Sequence, residues 1–357
     1  MQKKGYKHRK MKRTMKAQVL YKWDGPFNLE ERPIPRVGPT DVLIRVKACG
    51  VGLTLSNLRK GYISGGTLPR IIGHEVGGVV EDVGSLVRTC KEGDQVCVSF
   101  YITCGYCRWC ISGRETLCEN FIGNVGAVID GGFAEYICVP ERNCILIPEG
   151  VSFADAGITT DAVATNWHVF KERAHTKPND TVLVVGAGGG VGIHCVQMAK
   201  VFGARVIGAD TSDDKLAAAL RYGCDVVINV QGKDMANEIL MATNGRGVDC
   251  AVDMVSSNQT INDCIKALAR GGTFVVVGVP RDVKSLSFDV LRLIRDEIKL
   301  TGARCATKQE IRESLELVRR GMVKPAVLNT FRLEDVNELF EKIDNMQLTG
   351  RSALIFD

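Results

Sequence analysis

From about residue 163 to about residue 300 the chain repeats one texture, and that texture leaves few folds open. Short, nearly unbroken apolar runs ("TVLVVGAG", "ARVIGAD", "DVVINV", "DCAVDMV", "TFVVVGV", "EIKLTGA") alternate with helical patterns such as "VGIHCVQMAKVFG" and "DDKLAAALRYG". A strand with one wet face alternates polar and apolar residues; these do not, so both of their faces must be covered. Strands spaced and covered by helices make a doubly wound parallel sheet of α/β class. Six such strands are expected here, over residues 163–300.

The preceding stretch, residues 17–162, reads differently. Glycine, proline and short alternating segments such as "DVLIRVKACGV", "GGVVEDVG" and "GGFAEYICVP" predict a β-rich domain with long loops. Residues 301–357 hold two helical patterns and end on the strand "SALIFD"; with too little apolar surface to stand alone, they are expected to return and complete the first domain. Residues 1–16 carry eight Lys and Arg and no acid, so a chain of net charge +5 becomes −3 without them. That tail lacks the apolar centre of a secretory signal and is taken as an extension without function, not as a nucleic-acid arm. With no apolar run long enough to span a bilayer and fourteen cysteines that suit a reducing compartment, a cytoplasmic protein without membrane or nucleic-acid partners is expected.

Between the first apolar run and its helix, "VGAGGGVG" places Gly186, Gly188, Gly189, Gly190, Val191 and Gly192. A backbone that turns this tightly brings the free N–H groups of a helix N-terminus against a pyrophosphate. The spacing fits G-x-x-G-x-x-G through Gly186, Gly189 and Gly192. Asp210 ends the next apolar run, eighteen residues after Gly192. A carboxylate there accepts hydrogen bonds from the adenosine ribose hydroxyls and repels a 2′-phosphate, which selects NAD(H) over NADP(H). A second cluster, Cys104, Cys107, Cys110 and Cys118 in C-x2-C-x2-C-x7-C spacing, offers four thiolates to one zinc. A tetrahedral ion with four protein ligands has no place for water, so this zinc is structural.

These features, together with "GHE" at residues 73–75 and "DGGFAEY", occur in an order that resembles the zinc-containing alcohol dehydrogenase-like branch of the medium-chain dehydrogenase/reductase superfamily. The resemblance covers residues 17–357. It implies a GroES-like catalytic domain, a Rossmann domain, an active site in the cleft between them, and a homodimer or homotetramer acting on a small-molecule substrate. It also implies a second, catalytic zinc whose ligands fall on His74, on Asp161 at the opening of the helix before the Rossmann domain, and on residue 52. Residue 52 is glycine. Cys49 matches a non-ligand cysteine, Leu55 replaces a supporting aspartate, and Asn57 stands where some relatives carry a relay histidine; Thr54 keeps the relay hydroxyl.

His74 and Asp161, with Glu75 and water, make a poor zinc site, so the second ion is doubtful; the competing expectation is a cleft histidine bonded to a carboxylate favoured by a helix N-terminus. By resemblance Lys215 lies near the adenosine ribose, Thr165 and Val277 near the nicotinamide, and Arg351 toward the pyrophosphate; surface charge and ordinary packing are the plainer alternatives. Leu53 and Leu55 suggest an apolar cleft wall. The function implied is hydride transfer between NAD(H) and an alcohol or carbonyl compound, with Thr54, His74 and Asp161 handling the proton. A metal-free reductase of activated C=C bonds and a non-catalytic dinucleotide-binding protein remain open beside it.

Overall fold

A computed structural model describes residues 14–63, 66–279, 283, 285 and 288–357. The six apolar runs become parallel strands: Thr181–Val185, Arg205–Asp210, Val226–Asn229, Val248–Asp253, Leu268–Val276 and Lys299–Gly302. Their spatial order, counted along the chain, is 3-2-1-4-5-6. The order reverses between Thr181–Val185 and Val248–Asp253, so the crevice that takes ligands in such sheets opens there, at the carboxyl ends of the strands. All five residues of Thr181–Val185 are buried, as its lack of alternation requires. Separate apolar clusters cover the two faces, one around Phe170, Val184 and Val196, the other around Leu183, Ile239 and Phe274.

The β-rich part is a seven-stranded sheet centred on Asp41–Val51, which pairs antiparallel with Glu75–Val83, Tyr136–Pro140 and, from the far end of the chain, Arg351–Ile355. The returning segment therefore delivers Arg351 to the sheet that carries residues 49–51 and 75. Its helix Val336–Asp344 enters the same core, where Phe340 meets Phe27 and Phe133. Its other helix, Lys308–Arg319, is capped by Thr307 and Glu310 and packs instead on the connecting helix, through Ile311 and Leu315 against Ala156 and Ala164.

Two expectations need correction. The first strand, Thr14–Leu20, begins inside the segment assigned to the tail: Met15 pairs with Arg32 and is buried. Only residues 1–13 of that tail lie outside the described residues. Asp161, moreover, does not open a helix. One helical run extends from Phe153 to Ala174, capped at Ser152, and Asp161 sits within it on a π-helical turn, Thr159–Val163. The helix dipole therefore does not favour its charge; its neighbours do.

Candidate active site

Chain separation hides how the cleft is assembled. The strand Glu75–Val83 begins immediately after His74, and the π turn of the connecting helix presents Asp161 to it: His74 Nε2 lies 3.2 Å from Asp161 Oδ2, while the Thr165 hydroxyl donates to Asp161 Oδ1 at 3.0 Å. Phe100 packs tilted against the His74 ring, with centroids 4.7 Å apart. All of these residues are buried. Burial alone would raise the carboxyl of Asp161, but the bond to His74, the nearby Arg351 guanidinium and the Thr165 hydroxyl override it and hold the group at about 2. Thr54, the second residue of the helix Leu53–Arg59, is half-buried.

Directly behind this trio lies a bidentate ion pair. Arg351 Nε donates to Glu75 Oε2 at 3.0 Å and Nη2 to Oε1 at 2.5 Å, with the arginine side chain 2 % exposed and the glutamate 0 %. Nη2 also lies 3.9 Å from Asp161 Oδ2. Arg351 is thus no surface charge, and neither is Lys215, which is buried against the glycine loop. A Cβ added at Gly188 would come within 2.4 Å of Lys215 Cβ, so glycine is what lets the two approach. Leu53 is exposed but Leu55 is buried in the core of the first domain, so Leu55 does not wall the cleft.

The dinucleotide crevice suits its ligand. The loop ends in the helix Gly192–Val201, and among the described residues the N–H groups of Gly190, Val191 and Gly192 find no acceptor, as expected where an anion is to be bound. Asp210 Oδ2 accepts from the N–H of Gly188 at 3.2 Å, and Val277, just beyond its strand, donates its N–H to Asp253 O at 3.1 Å at the crevice. His194 braces the loop from within: Nδ1 lies 2.8 Å from Gly190 O, and Nε2 accepts from the N–H of Ala326 at 2.8 Å. One ring nitrogen must donate and the other accept, so the neutral ring is required; burial drives its pKa down to about 4.

Because an unfolded histidine titrates near 6.5, the unfolded chain gains a proton that the native state refuses between about 6.5 and 4. Stability from this residue is therefore complete above about 6.5 and falls by roughly 3 kcal/mol as the pH drops to 4. Urea midpoints measured across that range should show the slope, and His194→Gln, which keeps one donor and one acceptor, should flatten it. Asp161 contributes in a lower window, losing its stabilisation only as the pH falls below about 3.8 toward 2.

The four cysteines fit a zinc ion. Four of their six Sγ pairs stand 3.5 to 3.9 Å apart, close to the ~3.8 Å edge of a tetrahedron with ~2.3 Å metal–sulfur bonds, and all four atoms lie within 4.8 Å of one another. Although burial opposes it, N–H groups of Tyr106 and Cys107 draw Cys104 down to about 6, whereas burial and the neighbouring sulfurs push Cys110 up to about 12. Ligand atoms of His74, Glu75 and Asp161 also lie within 4.8 Å of one another, but these residues do not fit a second ion. Both Glu75 oxygens face the guanidinium, both Asp161 oxygens are bonded, and Gly52 contributes no ligand. Cys49 is buried and is not among the ligand atoms that converge there.

A glycine loop at the switch point of a doubly wound sheet, a buried His74–Asp161–Thr165 cluster and a four-cysteine lobe together point to a dehydrogenase. Residues 38–149 match the family model of the alcohol dehydrogenase GroES-like domain, and residues 190–320 that of a zinc-binding dehydrogenase. The chain is 32% identical over 350 residues to an NAD-dependent alcohol dehydrogenase of Sulfurisphaera tokodaii, covering 96% of this chain and all of the relative. It is 33% identical to an alcohol dehydrogenase of Geobacillus stearothermophilus, again over 96% and 100%. The crystal structure of the alcohol dehydrogenase of Aeropyrum pernix superposes with a TM-score of 0.88 at 31% identity, over 96% of this chain and all of that one. The chain belongs to the zinc-type alcohol dehydrogenase family of medium-chain dehydrogenases/reductases, and it is an oxidoreductase.

Proposed function

We propose that this oxidoreductase interconverts an alcohol and its carbonyl compound with NAD(H), and that it carries one zinc, in the four-cysteine lobe. The observation carrying the reading is the buried His74–Asp161–Thr165 cluster, joined through Arg351 to the glycine loop: a Cβ at Gly190 would lie 3.3 Å from Arg351 Nη1. The dinucleotide, bound at Gly186–Gly192, supplies or accepts the hydride. In the reducing direction the carbonyl oxygen must gain a proton as the carbon gains hydride. Thr54 gives its hydroxyl proton to that oxygen and regains one from protonated His74, which takes its own from solvent and is held as imidazolium by the ionised Asp161. Thr165 orients Asp161, and Phe100 packs against the imidazole.

Asp210 holds the adenosine ribose and Lys215 lies over the same end of the crevice, with Val277 and Thr165 toward the nicotinamide. Asp210→Ala removes hydrogen bonds to a charged acceptor, each worth roughly 1.5–3 kcal/mol, so the preference for NADH over NADPH should fall about 10–100-fold in kcat/KM. Steady-state rates with both cofactors on a panel of ketones, aldehydes and enones test the function itself. Turnover of ketones or aldehydes that His74→Ala abolishes supports it. Turnover of enones alone would favour reduction of activated C=C bonds, a second reading that the absence of a ligand at Gly52 supports.

A homo-oligomer acting in a reducing, cytoplasmic setting accords with three features. The edge strand Lys299–Gly302 has an unpaired side among the described residues, Leu291 and Ile294 are exposed on the preceding helix, and all fourteen cysteines are unbridged. Among the described residues no helix is long and apolar enough to cross a membrane.

A further inference from the structure

Gly52 leads into the helix Leu53–Arg59 from extended backbone, with φ −153° and ψ −174°, a conformation open to every residue. Backbone geometry therefore does not call for glycine here. Space does. A Cβ at residue 52 would lie 2.0 Å from Nη1 and 2.6 Å from Cζ of Arg351. The volume that a ligand side chain at residue 52 would need already holds a guanidinium, and that guanidinium is fixed by its two bonds to Glu75. Arg351 in this position and any side chain at residue 52 exclude one another.

The carboxylates that a second ion would need point the same way. Glu75 and Asp161 already face this guanidinium, with oxygens 2.5 and 3.9 Å from Nη2.

We propose that the Arg351 guanidinium replaces the second metal ion as the fixed positive charge of this site, and that Gly52 is the residue that admits it. Arg351 is a positioning residue. It acts through Glu75, whose carboxylate it neutralises, and through Asp161, which it helps keep ionised for His74. The inference builds on the oxidoreductase reading of the same cleft, but its test does not require turnover.

The full-length protein, dialysed against excess zinc and then against metal-free buffer, should retain one zinc per chain, and His74→Asn should retain the same number. A second equivalent present in the natural protein and missing from His74→Asn would overturn the proposal. Restoring the thiolate gives an independent check. Cobalt titration, followed by visible absorption, should show second-site affinity at least tenfold tighter in Gly52→Cys/Arg351→Met than in Gly52→Cys alone; equal or weaker affinity would refute the exclusion. Circular dichroism and the retained four-cysteine metal verify that each variant is folded. Failure to turn over any alcohol or carbonyl would leave these counts unchanged and would bear on the functional reading alone.

Discussion

Arg351→Leu should destabilise the fold by about 3–5 kcal/mol, the usual consequence of stripping one partner from a buried ion pair. The loss comes less from the missing attraction than from what remains: Glu75, fully buried, with both oxygens deprived of their donors. Burial already pushes this carboxyl upward, with the Arg351 charge pulling the other way. Without the guanidinium, Glu75 must take up a proton or draw in water. Chemical denaturation of the single variant should therefore show the full penalty, while Arg351→Leu/Glu75→Leu should recover most of it, because replacing both partners by apolar groups is often close to neutral. Turnover should not recover, since the double variant also removes the charge beside Asp161. Arg351→Lys keeps the charge but not the planar fork, and should fall between the natural protein and the leucine variant in stability. If the single and double leucine variants were equally destabilised, packing rather than charge would be the role of Arg351.

What could be read from the sequence and what could not divide along a physical line. Local patterns survived. Thr181–Val185 reads as a strand buried on both faces because five consecutive residues never alternate, and the structure buries all five. Cys104 to Cys118 read as one site because their spacing alone brings the sulfurs together, and the structure sets all four within 4.8 Å of one another. Asp161 was placed at a helix opening by resemblance alone. Thr159 and Thr160 before it do not cap a helix but turn their hydroxyls back to the carbonyls of Asp155 and Gly157, bonds available to these side chains inside a helix. The actual cap is Ser152, which accepts from the N–H of Asp155. The exchange at Gly52 was half visible. A glycine where the resemblance implies a ligand shows that something is lost, yet no local pattern announces what fills the space. The replacement comes from a strand 276 residues beyond its partner Glu75, where "GRSAL" reads as a charged residue opening a strand and, by resemblance, as a contact to the pyrophosphate, not to the metal site. His194 was hidden likewise, since its Ala326 partner is 132 residues away.

Removing the four-cysteine zinc should be felt well beyond its loop. The lobe has little apolar core of its own, the cysteines with Trp109 and Phe121, so a bound zinc would supply the cross-links that a core otherwise provides. Hydrogen bonds tie the lobe to the rest of the molecule. Arg142 donates to Cys104 O at 2.8 Å, and Glu115 accepts from the N–H of Lys308 at 2.8 Å, where the helix Lys308–Arg319 begins. That helix packs on the connecting helix that carries Asp161, so an unravelled lobe loosens a support of the active site without touching its residues. Structural zinc contributes about 10–16 kcal/mol to the folding of zinc-finger peptides; even ~4 kcal/mol here would lower the melting temperature by about 8 °C, at ~2 °C per kcal/mol for a large domain. Cys107→Ser should therefore lose its zinc and melt at least that much earlier. The local signature would separate lobe unravelling from general destabilisation. Trp109, held between the guanidinium groups of Arg108 and Arg114 at 5.0 and 4.8 Å, should change its fluorescence, and trypsin should cleave at those two arginines before it cuts elsewhere. A variant that loses its zinc yet keeps both its melting temperature and its resistance at Arg108 and Arg114 would show that the lobe holds its shape without the ion.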